Sequence, residues 1–328
     1  MVKADGYGHG LARVVRALAD ADGYALLDID EAVRLRETGT TKPIVLLEGV
    51  FQPADLALVD RNALTIVVHE LDQIIMLERA RLSSQIAVCL KLNTGLNRLG
   101  FVGSQVRAAY NRLQASGKIG AISLMTHFAD ADGSAGIAAQ LARFSEWTAG
   151  LQGEVTLANS AAVLRYPETH ADWTRPGIML YGCSPFADLS AEQLGLQPVM
   201  TLTSKLIATQ DLKPGDRVGY GGTFEATRAM RIGVIACGYA DGYPRHAPGL
   251  RGQSAPILVA GARTSTVGRV SMDMLCADIS AVPEARVGSS VTLWGEGLSA
   301  DEVAASAGTV SYELLCALAA RVPQLEIE

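Results

Sequence analysis

A lysine stands near the beginning of the chain, directly before a glycine-rich stretch. The first residues read MVKADGYGHG, so Lys3 follows an apolar residue and precedes three glycines in alternate positions. A lysine amine can form a Schiff base with an aldehyde cofactor. Taken alone, a lysine so near a terminus is more often a solvated charge, because chain ends fray. The stretch is also typical of a buried strand that ends in a turn. Two interpretations therefore stand, an ordinary exposed charge or the end of a strand whose preceding part is missing.

Other polar side chains of this kind stand at the boundaries of apolar runs. They are Lys91, Asn93 and Arg98 in KLNTGLNRLG, Thr126 and His127 in THF, Asn159 and Ser160 in ANS, and Arg175 in TRPG, which ends at Gly177. Ser160 and the backbone N–H groups around Gly177 and Ile178 are suited to a phosphate group. A lysine on one strand, a phosphate cradle on others and an arginine between them together predict pyridoxal phosphate (PLP) as the cofactor.

Eight strands separated by helices would position these side chains. Their apolar residues run continuously rather than in alternation, which indicates a parallel sheet buried on both faces. Eight β/α units are typical of a TIM barrel, in which catalytic groups sit where strands end and the following loops begin. The eighth strand depends on counting the short first one. The predicted strands are Val2–Lys3 and residues 24–29, 43–49, 64–70, 86–93, 121–128, 154–160 and 177–182.

The second part of the sequence predicts a different architecture. Residues 200–295 are rich in Val, Thr and Gly, with turn signals such as KPGDRVGYGG and few helical patterns. This composition favours a mostly antiparallel β domain. We place the boundary near Gln197, which gives a (β/α)8 barrel over residues 1–197 and a β domain over residues 198–328. A late helix, from about Tyr312 to Arg321, closes the chain.

The composition limits the function classes. Apolar residues make up 49% of the 328 residues, and the net charge is −6 with scattered Lys and Arg, so a nucleic-acid binder is not expected. No apolar run reaches the length of a membrane span. The five cysteines are far apart and lie in apolar runs, which favours buried free thiols over disulfides or a metal site. A cytoplasmic enzyme without a metal is the resulting prediction.

Nine motifs, in the same order along the chain, resemble those of the alanine racemase family. The resemblance implies a (β/α)8 barrel followed by a C-terminal β domain, bound PLP, and a homodimer whose active sites take residues from both subunits. It also implies interconversion of L- and D-alanine, which either supplies D-alanine to peptidoglycan or consumes it. The motifs are VKADGYGHG, KLNTGLNRLGF, LMTHFADAD, ANSAA, RPGIMLYG, GYGGTF, CGYADGYPR, VGRVSMDM and SYELLCALAARVP.

By this resemblance, two residues act as bases on opposite faces of the substrate Cα. Lys3 matches the lysine that binds PLP covalently and then serves as one base. Tyr239, contributed by the other subunit, matches the second base. His127 and Arg175 match a hydrogen-bonded relay between that tyrosine and the cofactor, and Arg175 also matches the residue that faces the pyridine nitrogen. Since arginine keeps its proton, the ring nitrogen would stay unprotonated, which favours racemisation over transamination.

The resemblance also assigns binding roles. Arg98 matches the arginine near the PLP phenolic oxygen and the substrate carboxylate, a charge-assisted partner. Met272 matches a backbone donor to that carboxylate from the other subunit, with Asp273 beside it. Lys91 matches a lysine that is carbamylated in some members and then orients Arg98. The residues that match the phosphate-binding set are Tyr7, Ser160, Gly177, Ile178 and Tyr312.

Two departures from the family pattern bear on these expectations. Asn93 stands where many members have an acid, so it cannot balance the charge of Arg98, which favours a carbamate on Lys91. Only two residues precede Lys3, whereas family members carry a helix and most of a strand there; we therefore expect a shortened first strand and impaired barrel closure. A broader-specificity racemase, or a truncated form with impaired activity, is the alternative function. A PLP decarboxylase would keep an acid at the pyridine nitrogen, and a PLP carrier would lack residues 198–328.

Overall fold

Short apolar segments in the first half of the chain pair as parallel strands in the computed structural model, which describes residues 1–247 and 254–327. Six of them form one sheet in sequential order, β1-β2-β3-β4-β5-β6. The strands are β1 (Tyr24–Leu26), β2 (Ile44–Leu46), β3 (Thr65–Val68), β4 (Ile86–Lys91), β5 (Ile119–Met125) and β6 (Val155–Thr156). The near-continuous burial of β4 explains why an unbroken apolar run predicts this sheet correctly.

Helices follow most of these strands. The unit that holds the sheet comprises Met1–Gly6, Gly10–Gly177 and Pro185–Ala187. The chain begins with a helical turn, α1 (Lys3–Tyr7), four of whose residues belong to this unit. The remaining helices are α2 (Leu11–Ala17), α3 (Ile29–Glu37), α4 (Asp55–Arg61), α5 (Leu71–Arg79), α6 (Ser104–Ala115), α7 (Ala138–Thr148) and α8 (Ser160–Arg165).

Two predicted strands are wrong. Val2 N donates to Ala25 O of β1 at 2.9 Å, and the chain then turns into α1 without forming a strand. Residues 177–182 do not form a strand either, because Ile178–Tyr181 is a 3-10 helix. Trp173 instead bridges Thr156 in parallel, and Arg175 N donates to Ala158 O at 2.9 Å. Pairing stops there since Pro176, the next residue, has no N–H to donate.

An arginine ties down the amino ends of two strands. The guanidinium of Arg36, in α3, donates to four backbone oxygens, two before β2 and two before β3. Its Nε reaches Asn62 O at 2.9 Å and its Nη2 reaches Ala63 O at 3.3 Å. Its Nη1 donates to Thr40 O at 2.6 Å and to Lys42 O at 3.0 Å. The amino ends of β2 and β3, opposite to the strand ends that carry Lys91 and His127, are therefore held by one half-buried guanidinium.

The other unit is built around an antiparallel barrel that closes in the order β10-β13-β12-β11-β14-β7. It comprises Tyr7–His9, Ile178–Ser184 and the described residues from Asp188 onward. Burial alternates along β11 and β13, as expected of strands with one face on a core. The strands are β7 (Leu202–Leu212), β8 (Arg217–Val218), β9 (Phe224–Glu225), β10 (Met230–Ile235), β11 (Pro256–Val259), β12 (Ala262–Val267), β13 (Leu275–Asp278) and β14 (Ser290–Trp294).

Two helices complete this unit, α9 (Ala300–Ser306) and α10 (Ser311–Cys316). The late helix predicted from about Tyr312 to Arg321 is therefore shorter than expected, since it ends at Cys316. A parallel β/α unit and a separate antiparallel β unit agree with the predicted fold class. Within residues 1–247 and 254–327, every helix is too short or too polar to cross a membrane.

Candidate active site

Lys3 begins a turn whose backbone is left-handed. Ala4, Asp5 and Gly6 have φ values of +54°, +50° and +62°, a conformation that costs a non-glycine residue about 1–2 kcal/mol. The turn is held by Gly6 N, which donates to Val2 O at 3.0 Å, and by Asp5, whose Oδ1 accepts from Leu11 N at 2.7 Å. Strained backbone that is fixed by its surroundings is typical of functional sites. Lys3 therefore begins a turn whose conformation is fixed by its own hydrogen bonds.

Lys91 is a buried amine among other cations. It is the last residue of β4 and is 8% exposed. Burial lowers the pKa of Lys91 to about 8, with further lowering by Arg98, Arg175 and Lys3; the carboxylate of Glu48 opposes the effect. Because a neutral amine is the nucleophilic form, Lys91 is chemically more reactive at neutral pH than an ordinary lysine. The structure thus brings Lys3, Arg98 and Arg175 within electrostatic range of Lys91.

Asn93 organises the loop that carries Arg98. Its Oδ1 accepts from Asn97 N at 2.9 Å and from Gly95 N at 3.3 Å, and its Nδ2 donates to Asn97 Oδ1 at 3.3 Å. An amide can do both, whereas an ionised acid could only accept. Asn93 therefore has a structural role in this loop without any charge to offset Arg98.

His127 and Arg175 form a pair at the carboxyl ends of β5 and β6. Arg175 Nη2 lies 3.4 Å from His127 Nδ1, and it also reaches Thr126 O at 2.6 Å. Burial lowers the pKa of Arg175 to about 10, so the guanidinium stays charged at neutral pH. Burial, followed by the charges of Arg175, Lys91, Arg98 and Lys3, lowers the pKa of His127 to about 3. The histidine is therefore neutral, and its Nδ1 accepts from Arg175.

The predicted phosphate-binding residues fall in both units. In the barrel unit, buried Ser160 begins α8, and its Oγ accepts from Gly177 N at 2.8 Å. In the β unit, the Tyr7 ring stacks on Tyr181 at a centroid distance of 4.6 Å and lies 6.1 Å from the ring of Tyr312. Ile178 belongs to the β unit as well and is fully buried. Each unit thus holds part of the predicted set.

Tyr239, Met272 and Asp273 lie together in the β unit. Tyr239 N donates to Ser271 O at 3.1 Å, and Ala240 N donates to Met272 O at 2.9 Å. The side chains of Tyr239 and Met272 are unusually exposed for large apolar groups, at 38% and 54%. Two of the residues that the resemblance assigns to the other subunit's active site are therefore exposed at the surface of this chain.

Comparison with known proteins gives one consistent result. The family model described as "Alanine racemase, N-terminal domain" matches residues 1–185, and "Alanine racemase, C-terminal domain" matches residues 199–326. An alanine racemase from Ralstonia nicotianae is 58% identical over 326 residues, covering 98% of this chain and 86% of that protein. One from Cupriavidus necator is 57% identical over 324 residues, covering 98% and 87%.

Solved structures agree with the sequence comparison. The crystal structure of biosynthetic alanine racemase from Pseudomonas aeruginosa superposes with a TM-score of 0.94 at 47% identity, covering 98% of this chain and 90% of that one. The chain belongs to the alanine racemase family. Racemases are isomerases, so both the predicted enzyme class and the predicted fold class are confirmed for this alanine racemase family member.

The residues of the barrel unit suit PLP, the cofactor expected for an alanine racemase. Around Lys91 the positive charges of Lys3, Arg98 and Arg175 outnumber the single carboxylate, Glu48, that counts among the nearby charges. An excess of buried positive charge is unfavourable unless an anion joins it. The phosphate and phenolate oxygens of PLP, together with a substrate carboxylate, would supply that charge. The donor set therefore fits the cofactor.

A buried polar network behind this alanine racemase site was not predicted from the sequence. Gln140, in α7, donates through Nε2 to Thr94 Oγ1 at 3.0 Å and to His127 O at 3.2 Å. Its Oε1 accepts from Ala129 N at 2.7 Å, and Thr94 in turn contacts Thr126 through their hydroxyls at 2.7 Å. Gln140 thereby joins the loops after β4 and β5. One signal could have revealed it, a polar residue four positions before Phe144 on the buried face of a helix.

Proposed function

We propose that this protein interconverts L- and D-alanine with PLP bound, using bases on opposite faces of the substrate Cα. The observation that carries the proposal is the Arg175–His127 pair, a charged guanidinium beside a neutral imidazole in a region rich in cations. The alanine racemases to which the chain is similar support alanine as the substrate.

Residues of the barrel unit would hold the cofactor. Lys3 would bind it covalently, Arg98 would pair with its phenolic oxygen, and the Ser160 hydroxyl, which accepts from Gly177 N, would donate to its phosphate. Tyr7, Ile178 and Tyr312, which belong to the β unit, stay in the proposed phosphate-binding set by resemblance. When bound, PLP withdraws electrons from the substrate and so makes its α-proton acidic enough to remove.

Arg175 controls how strongly that withdrawal acts. The pKa of Arg175, about 10, lies far above neutral pH, so this group holds its proton while donating hydrogen bonds. It would donate to the pyridine nitrogen without protonating it. A weaker withdrawal favours prompt return of the proton to Cα, which is the outcome a racemase needs.

Two bases account for the inversion. Lys3 would exchange a proton on one face of the substrate Cα, and Tyr239 of the partner subunit would exchange one on the opposite face. A single base would tend to return the proton to the face it came from. The neutral imidazole of His127 uses Nδ1 to accept from Arg175, which leaves its Nε2–H to donate to the phenolic oxygen of that tyrosine.

The substrate carboxylate would meet one group of each subunit. Arg98 would form a charge-assisted hydrogen bond from the barrel unit. The backbone N–H of Met272 of the partner subunit would donate to the same carboxylate, with Asp273 of the partner subunit beside it. The exposure of Met272, at 54%, supports such a shared site.

Lys91 would carry a carbamate. Burial lowers the pKa of Lys91 to about 8, so a substantial fraction of neutral amine is present near neutral pH to combine with CO₂. The negative carbamate would relieve the repulsion with Arg98 and Arg175 and would orient Arg98. Asn93, an amide, supplies no such negative charge.

We infer a homodimer. In each active site, one subunit would supply the barrel domain, residues 1–197, and the other subunit would supply the β domain, residues 198–328. The exposed side chains of Tyr239, Met272, Met274 and Tyr312 support a second copy as the partner. We also infer a reducing, cytoplasmic setting, since all five cysteines are free thiols.

Two measurements test the function. The purified protein with PLP should show a visible absorbance that borohydride removes, and it should destroy the optical activity of L-alanine. Lys3→Ala and Tyr239→Phe subunits, each inactive alone, should regain activity when mixed, because one site of the mixed dimer keeps both bases. No optical change with alanine would refute the reaction, and no recovery after verified subunit exchange would refute the shared site.

A further inference from the structure

One guanidinium of the β unit bridges two loops. Arg321 lies five residues after α10, and its Nε donates to Asp241 Oδ1 at 2.7 Å while its Nη2 donates to Asp273 Oδ1 at 2.6 Å. Hydrogen bonds to Asp241 and then Asp273 raise the pKa of Arg321 above its ordinary value. A planar fork between two carboxylates has a more fixed geometry than a single exposed ion pair.

Asp241 belongs to the loop that carries Tyr239. Its Oδ2 accepts from Gly238 N at 2.9 Å, and its backbone oxygen accepts from Ala319 N at 3.1 Å. A Cβ on Gly242 would lie 2.5 Å from Ala317 O, so the loop packs directly against the segment that leads to Arg321. The position of this loop therefore depends on that segment.

Asp273 belongs to the loop that carries Met272. This loop and the Tyr239 loop are already joined by backbone hydrogen bonds, from Tyr239 N to Ser271 O and from Ala240 N to Met272 O. A Cβ on Gly238 would lie 2.3 Å from Met272 O, so the contact requires glycine. Arg321 joins the same two loops a second time, through side chains. Two independent attachments prevent one loop from rotating about the other.

We propose that Arg321 is a positioning residue that sets the location of the Tyr239 phenol relative to the Met272 N–H. It acts through its hydrogen bonds to Asp241 and Asp273. It is not assigned any contact with the Tyr239 phenol or the Met272 N–H. The proposal rests on the proposed function, in which Tyr239 exchanges the α-proton on one face and Met272 binds the substrate carboxylate. Lys3 lies in the other unit, so loosening this clamp should affect one face of the substrate and spare the other.

The test measures the loss of the α-proton of each alanine enantiomer into D₂O by the PLP-loaded enzyme. Tyr239→Phe first identifies the enantiomer whose proton faces Tyr239. Arg321→Met should then slow α-proton loss from that enantiomer roughly tenfold, the scale expected of a misplaced catalytic group, and from the other less than about twofold. Arg321→Lys, which keeps the charge without the fork, should fall between.

A second readout does not depend on activity. In Arg321→Met, backbone amides of residues 238–243 should exchange with deuterium faster than in the unaltered protein. The matched control is Arg228→Met, which removes an exposed ion pair with Asp278, at 3.1 Å, from the same unit. This control should change neither the amide exchange nor the ratio of the two proton-loss rates.

The outcomes separate the two proposals. Equal slowing of both enantiomers, or an unchanged ratio with an equally protected loop, would overturn the positioning role of Arg321. If Tyr239→Phe itself shows no preference between the enantiomers, the face-specific base is wrong. In that case the amide exchange of residues 238–243 still decides whether Arg321 holds the loop.

Discussion

Nη2 of Arg175 lies 3.4 Å from Nδ1 of His127. This contact joins a charged guanidinium to a histidine that stays neutral at pH values well below the ordinary histidine pKa. Burial is the largest cause, and the cations around the imidazole add to it. Protonation of His127 at Nδ1 would therefore destabilise the folded protein and remove the acceptor of the hydrogen bond from Arg175.

This contact predicts a loss of stability in acid. Unfolded His127 takes up a proton near pH 6.5, whereas the folded protein does so near pH 3, so the free energy of unfolding falls as the pH drops below 6.5. His127→Gln should reduce the loss between pH 7 and pH 5 by on the order of 1 kcal/mol, after allowance for partial exposure. Chemical unfolding at the two pH values measures it. Exposed His246→Gln is the control and should match the unaltered protein; a His127→Gln variant with the same acid loss would contradict the prediction.

Lys91 should bind CO₂ increasingly as the pH rises. Its pKa of about 8 means that the neutral amine becomes the major form between pH 7 and pH 9. With ¹³C-bicarbonate, NMR should show a carbamate signal that grows over this range and is absent in Lys91→Met. Exposed Lys205→Met should keep the signal. A spectrum of the unaltered protein without that signal would rule out the modification.

Gln140→Met should destabilise the barrel unit. The substitution keeps the volume but leaves His127 O and Ala129 N without the bonds from Gln140, at a cost of about 1–3 kcal/mol for each buried group left unpaired, while Thr94 Oγ1 keeps only Thr126. The control is Gln114→Met, which removes the bond from an exposed glutamine to Tyr110 OH at 3.1 Å. Thermal unfolding should separate the two variants clearly. Similar unfolding temperatures for both would mean that the network contributes little.

Gly6→Ala should disturb the position of Lys3. Gly6 has a φ of +62°, and a Cβ there would lie 2.6 Å from Val14 Cγ2. Gly39 also has a positive φ, +91°, but a Cβ there would contact nothing within 4 Å, so Gly39→Ala isolates the effect of backbone strain alone. Gly6→Ala should weaken the borohydride-sensitive absorbance with PLP, and Gly39→Ala should keep it. Equal absorbance in both would show that the turn does not orient Lys3.

The sequence predicts which residues lie near the carboxyl ends of strands better than it predicts which apolar segments are strands. Lys91 ends β4 and His127 follows the end of β5 by two residues, both close to where the apolar runs end. Residues 177–182 look like a strand because they are apolar, yet Pro176 interrupts the ladder before them and Ile178 begins a 3-10 helix. Apolar composition reports burial, and it does not report which backbone groups remain free to pair.

The supporting contacts are the least predictable part of the site. Gln140 and Thr94 are 46 residues apart, and Arg321 and Asp241 are 80 apart, so no local pattern joins them. A glutamine in an amphipathic helix is usually solvated, and an arginine near the chain end usually forms a weak surface pair. Only the fold brings these residues beside His127 and Tyr239. Motifs identify the groups proposed to meet the substrate, and the tertiary structure identifies the residues that hold those groups.

Arg36 separates the two ends of one parallel sheet by what they contribute, stability at the amino ends of the strands and the candidate site at the carboxyl ends. Its guanidinium binds four backbone oxygens before β2 and β3, at the strand ends opposite to Lys91 and His127. Substitutions there should alter how long the enzyme survives heating without altering how it treats alanine. Durability and catalysis could therefore be changed independently in this protein, by evolution or by an engineer.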